Sequence, residues 1–241
     1  MKRMLLGVFA VLAAVQVQSN PVYTNAHDWI NSGKFEGDMV LTDAQRNGDR
    51  NETLRWTNRV IPYELWSGYT AAEKAFIKNS LNAFNQTCLK IRERVSTDIN
   101  YVYITGENNS CWSWVGMLGG AQQLNLNKIC CCQRSATVVH EFLHAIGFHH
   151  MQSNYNRDDY LIVHYENIEP GAEYNFDKKT INQVNDFGLR YDYDSIMHYP
   201  RKAFSKNNRD TIEPKDPTAV IGEAKKMSDI DIAKVLKMYK C

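Results

Sequence analysis

Residues 140–150 read His-Glu-Phe-Leu-His-Ala-Ile-Gly-Phe-His-His, the pattern H-E-x-x-H-x-x-G-x-x-H. On a helix, His140 and His144 lie four residues apart, so both rings project from one face onto one ion. Glu141 sits beside them, placed to take a proton from an activated water and pass it to a leaving amine. On a straight helix His150 would fall about 9 Å beyond His144 and be rotated off the ligand face. Gly147 removes that difficulty, because glycine tolerates the positive φ that ends a helix and turns the chain back. His150 then becomes the third nitrogen ligand of a zinc ion, and one coordination position stays open for water. A match to these fixed positions arises by chance in such a chain with a probability on the order of 10⁻⁴. A helix that merely carries core and surface histidines is therefore the weaker reading. His149 does not fit the ligand spacing and reads as a neighbour of the site.

The zinc helix is expected over 136–147. Before it, residues 60–63 read as a short strand. Residues 70–87 show helical spacing of Ala72, Phe76, Leu81 and Phe84, with Thr70 as N-cap. Residues 99–105 alternate as a strand, and 111–120 and 121–126 read as extended segments parted by Gly119-Gly120. After the helix the chain is irregular until Ser228, which opens a last helix with Asp231 as its capping-box partner. The expected class is α+β. A twisted mixed sheet and the zinc helix form an N-terminal half, followed by a loop-rich C-terminal half with a terminal helix. The boundary falls near Gly147, with the open zinc site in the cleft between the halves.

The chain has 241 residues, enough for one or two small domains, and a formal charge of +1. Its basic residues are dispersed, which excludes a nucleic-acid partner from the expectation. Lys2 and Arg3 precede an apolar run from Met4 to Val15, and small residues lead up to Ser19. This reads as a signal peptide over 1–19, because the run is too short to span a bilayer comfortably. A secreted chain with no membrane partner is expected. All six cysteines (Cys88, Cys111, Cys130, Cys131, Cys132, Cys241) lie beyond that segment, which favours disulfides. Sequons at Asn51, Asn85 and Asn108 fit the same compartment. Residues 20–46 are polar and weakly periodic, and read as a mobile pro-segment.

Ser195-Ile-Met-His-Tyr199 follows the zinc motif by about fifty residues and matches the Met-turn of metzincins around Met197. With Phe35-Glu-Gly-Asp38, Arg55 to Tyr63, Cys111 to Gly116, Gly119 to Gln123, Arg157 to Tyr160 and Asn175 to Asp177, the chain resembles the astacin family of secreted zinc endopeptidases. The resemblance implies a metzincin-type catalytic domain over 47–241 that holds one zinc ion on His140, His144 and His150. Glu141 would be the general base and then the acid. Tyr199 would be an additional ligand at rest that swings away to stabilise the oxyanion. Asp38 would be the inhibitory ligand of the zymogen. It also implies cleavage by a tryptic-type protease at Arg46–Asn47, with Arg50 as the runner-up, and an extended protein or peptide as substrate. A monomer is expected. The family's bridges would map as Cys88–Cys241 and as Cys111 to one of the cysteine trio, Cys132 fitting best.

Three departures stand out. Met151 occupies the place where the family usually has a glutamate that holds the new N-terminus, and a thioether accepts no charged hydrogen bond. Two cysteines of the trio remain without an assigned partner. Glu223, in a segment resembling the start of the family's S1′ wall, is expected to disfavour acidic substrate residues. The alternative from another class is a catalytically inactive protein on the same fold that binds zinc or a partner.

Overall fold

The computed structural model describes residues 30, 32–42, 45, 52–106, 110–128 and 134–241. The expected signal peptide, the Arg46–Asn47 bond, Asn51, Asn108 and the trio Cys130, Cys131 and Cys132 lie outside them. The main sheet is built from β1 (Met39–Val40), β2 (Val60–Leu65), β3 (Lys90–Glu93), β4 (Tyr101–Thr105), β5 (Cys111–Trp114) and β6 (Ala121–Leu126), in the order β1-β5-β6-β4-β2-β3. Its pairs are parallel except β5 with β6, which run antiparallel across a turn where Gly119 and Gly120 both take positive φ. The sheet is mixed, as expected.

Helix α1 (Ala71–Leu81) starts where Thr70 accepts from the Glu73 amide and the Glu73 carboxylate accepts from the Thr70 amide. The periodicity suggests a helix as far as 87, but after Leu81 the chain tightens into a 3-10 turn, Asn82–Gln86. Asn82, Asn85 and Thr87 are weak helix formers, and the Thr87 hydroxyl closes the turn onto the Phe84 carbonyl.

Helix α2 (Ser135–Ala145) carries the first two histidines and is buried from Thr137 to Ala145. It packs on α1 and β5, with Phe142 and Phe84 ring centroids 5.6 Å apart. Its C-terminus is a Schellman turn: the Gly147 amide bonds the His144 carbonyl and the Phe148 amide bonds that of Leu143. Gly147 takes φ 109°, and a Cβ there would meet Met238 Cε at 2.8 Å. Trp56 Nε1 donates to the Ala145 carbonyl and the Tyr239 hydroxyl to that of Ile146, so the helix end is satisfied from both halves of the chain.

The C-terminal half is a series of 3-10 turns around an antiparallel pair of β7 (Leu161–Val163) and β8 (Ile212–Pro214), closed by α3 (Asp229–Met238). Ser228 and Asp231 form the expected capping box. Cys88 is bonded to Cys241, and Cys111 is disulfide-bonded to a partner outside the described residues. No helix among the described residues is long and apolar enough to cross a membrane.

The described residues of the 20–46 stretch differ from the mobile character expected of it. Glu36, Asp38, Met39 and Leu41 are buried, and β1 pairs in parallel with the edge strand β5, Met39 opposite Ser113 and Val40 opposite Trp114. Met39 and Leu41 pack on Val115. Weak hydrophobic periodicity conceals this order because half of the buried side chains are charged.

Candidate metal centre

Helix α2 places His140 and His144 one turn apart, and the Schellman turn brings His150 back towards them. Asp38 enters as the residue just before β1. One ligand atom from each of these four buried residues lies within 4.8 Å of the others. Asp38 Oδ2 is 2.9 Å from His140 Nε2, and Oδ1 is 3.3 Å from both His144 Nε2 and His150 Nε2.

The outer nitrogens settle what the centre requires. His140 Nδ1 donates to the Ile196 carbonyl at 2.8 Å and His144 Nδ1 to the Phe148 carbonyl at 2.7 Å. His150 Nδ1 faces the Glu36 carboxylate at 3.0 Å. Each of these partners only accepts, so each Nδ1 carries the proton and each Nε2 turns its lone pair inward. His140 Nε2 and His150 Nε2 are 3.3 Å apart. Two lone pairs at that separation need positive charge between them. Three imidazole nitrogens and one carboxylate oxygen are a tetrahedral zinc donor set, so the residues fit the metal.

Glu141 is fully buried and neither carboxylate oxygen has a hydrogen-bond partner. Burial first, and then the Asp38 charge, push its pKa well above the usual carboxylate range. Tyr199 is buried, its ring 4.9 Å from that of His150, and its hydroxyl donates to the Glu36 carbonyl at 2.6 Å. Met197 lies in the core, and its carbonyl accepts from the Met151 amide, tying the turn to the residue after His150. His149 stays outside the cluster, and burial lowers its pKa to about 3.

Residues that the motifs do not signal complete the site. Asp231 accepts from Ser195 Oγ at 2.6 Å and from the Ile196 amide at 3.0 Å. It thereby fixes the peptide whose carbonyl orients His140. The capping-box spacing marks Asp231 in the sequence, but not this second duty. Glu36, Ser153 and Lys179 carry no sequence signal. At Met151 the side chain is buried and Lys234 Nζ donates to its sulfur at 2.8 Å. A resident ammonium thus lies against the residue that stands in the place of the family's usual glutamate.

The sequence profile of the Astacin peptidase family matches residues 48–240. Zinc metalloproteinase nas-13 of Caenorhabditis elegans is 35% identical over 211 residues, covering 86% of this chain and 46% of that protein. Zinc metalloproteinase nas-6 of the same organism is 36% identical over 228 residues, covering 89% and 65%. The chain therefore spans about half to two thirds of the length of these relatives. Among solved structures, high choriolytic enzyme 1 of the medaka Oryzias latipes, a hatching enzyme zinc-protease, aligns with a TM-score of 0.72 and 37% identity over 78% of this chain and 93% of its own. Myroilysin, 19% identical with a TM-score of 0.56, shares the fold.

Proposed function

The chain belongs to the astacin family, and on that premise we propose that it is a secreted zinc endopeptidase made as a latent precursor. The observation that carries this reading is the convergence of His140, His144 and His150 on one point closed by Asp38, with an unpartnered Glu141 on the same helix. Zinc held by the three histidines would supply a Lewis acid that polarises the scissile carbonyl and acidifies a water.

Glu141 takes the proton of that water and later delivers it to the leaving amine. Its raised pKa, caused by burial and by Asp38, falls once Asp38 has left. The substrate pairs as an added strand along the edge of β5 that β1 covers until processing removes it. Tyr199, released from the Glu36 carbonyl, donates its phenol to the developing oxyanion.

Latency follows from the same contacts. Asp38 would hold the metal in the place that water needs, and the Glu36 carbonyl engages the Tyr199 hydroxyl. Residues 1–19 act as signal peptide, 20–46 as pro-segment and 47–241 as catalytic domain. The family match beginning at residue 48 supports a cut at Arg46–Asn47. Secretion is supported by the apolar N-terminal run and by disulfide-bonded Cys88, Cys111 and Cys241.

The test is Glu141→Ala in the trypsin-processed chain. It should keep about one zinc per chain yet lose at least about 10²-fold in cleavage of a quenched peptide, the scale expected of a general base. Cleavage at the native rate would remove Glu141 from the mechanism.

A further inference from the structure

Lys234, on α3, is only 6% exposed, and its Nζ donates to Met151 Sδ at 2.8 Å. A thioether is a weak acceptor for an ammonium that can donate three hydrogen bonds. Among the described residues no carboxylate forms an ion pair with it. The acids whose charges reach Lys234 are committed elsewhere. Asp231 accepts from the Ser195 hydroxyl and from the Ile196 and Ser228 amides. Asp192 accepts from the Ser228 hydroxyl and the Asp194 amide, and Asp186 from the Tyr155 hydroxyl and the Gly188 amide. Burial accordingly pulls the Lys234 pKa below its ordinary value, against the pull of those three charges.

The same ammonium lines a cavity of about 280 Å³. Leu54, Val115, Phe148, Val184, Phe187 and Met238 give the cavity apolar walls. Its other cations are already paired, Arg55 with Glu52 at 2.9 Å and Lys179 with Glu36 at 3.1 Å. Apart from Gln45, the lining comes from residues 52–238, within the stretch that the family profile matches. Apolar walls with one placed polar group are the form of a small-ligand site. A cavity of about 150 Å³ takes benzene, so this one has room for roughly ten non-hydrogen atoms. A glutamate at position 151 would make such a cavity receptive to a cation, whereas Met151 with Lys234 makes it receptive to an anion.

We propose that this cavity binds a small monocarboxylate with an apolar body, the anion on Lys234 and the body against the walls that Phe187 and Met238 supply. The site uses neither the metal nor the edge of β5, and the proposal does not rest on the endopeptidase reading. Phe148 to Met151 line the cavity, so its ligand would touch the turn that carries His150.

The probe is phenylacetate, which has about ten non-hydrogen atoms, titrated calorimetrically into the full, unprocessed chain beside phenylacetamide, phenethylamine and acetate. Phenylacetate should bind saturably in the millimolar range or tighter, as a ligand of that size can. It should bind at least about tenfold better than the amide, the scale of a hydrogen bond to a charged group. Acetate, which lacks the apolar body, should bind at least about tenfold more weakly than phenylacetate, and phenethylamine should not bind. Backbone amide signals of Phe148 to Met151 and of Val184 to Phe187 should shift in the NMR spectrum on titration. In Lys234→Met, checked for native fold by circular dichroism, the preference for acid over amide should be lost. Equal binding of acid and amide by the native chain, a preference for the amine, or acid binding that Lys234→Met leaves unchanged overturns the site. The comparison of acid with amide needs only the native chain, so it decides the matter even where Lys234→Met does not fold.

Discussion

Tyr199 illustrates how much one side chain can hold. Its phenol is buried, its pKa is pushed up first by burial and then by Glu36 and Asp38, and it is engaged by the Glu36 backbone carbonyl. A protonated phenol in such a place is a donor waiting for negative charge. Tyr199→Phe should lower kcat of the processed enzyme by about 10²–10³ with little change in KM, the mark of an interaction made only in the transition state. An unchanged kcat would remove Tyr199 from the oxyanion. The ligand histidines and Glu141 are legible in sequence because helix geometry ties their chemistry to fixed spacings. Asp38 is legible only through the family motif. Glu36, Ser153 and Lys179 are illegible, because their meaning lies in partners such as His150, 114 residues from Glu36, and no local pattern records such a contact.

Among the elements, α3 does more than close the chain. Asp231 caps the helix through Ser228 and also holds Ser195 and Ile196, and the Ile196 carbonyl orients His140. Asp231→Ala should weaken zinc binding by about 10–100-fold, as loss of other outer-shell partners does. Competition with a chelator reads this directly, and an unaltered zinc affinity would make the contact a cap alone. The β7–β8 pair carries a pH-dependent link. Hydrogen bonding to Glu213 first, then opposed by slight burial, raises His164 above its ordinary value of 6.5. The folded pKa exceeds the unfolded one, so the stabilisation is complete below 6.5 and fades as pH rises through the folded pKa. A His164 titration followed by NMR should show a midpoint above 6.5 that Glu213→Gln lowers, and a native midpoint at or below 6.5 would contradict the link. Helix and strand positions are mostly legible from periodicity and caps. The end of α1 is not, since apolar spacing continues into the 3-10 turn. Strand β1 is not either, because a two-residue strand flanked by buried acids has no alternation to read.

For the whole molecule, two halves meet at the zinc helix. Trp56 from one and Tyr239 from the other cap its end, and Cys88–Cys241 ties α1's exit to the C-terminus. Residues 35–40 lie across that junction, pairing with β5 through β1 and bringing Asp38 into the metal centre. The α+β class and the division near Gly147 are legible from the order of the motifs. The docking of Glu36 and Asp38 with β1 is not, because it depends on charges meeting buried partners rather than on an apolar stripe. The proposed latency is then a property of the assembled chain, and its most direct test is casein hydrolysis by the full chain before and after limited trypsin, beside Glu141→Ala and a chelator. Activity should appear only after trypsin and be lost in both controls. Equal hydrolysis before processing, or none after a clean cut near Asn47 with zinc bound, would contradict a zinc endopeptidase held latent by Asp38.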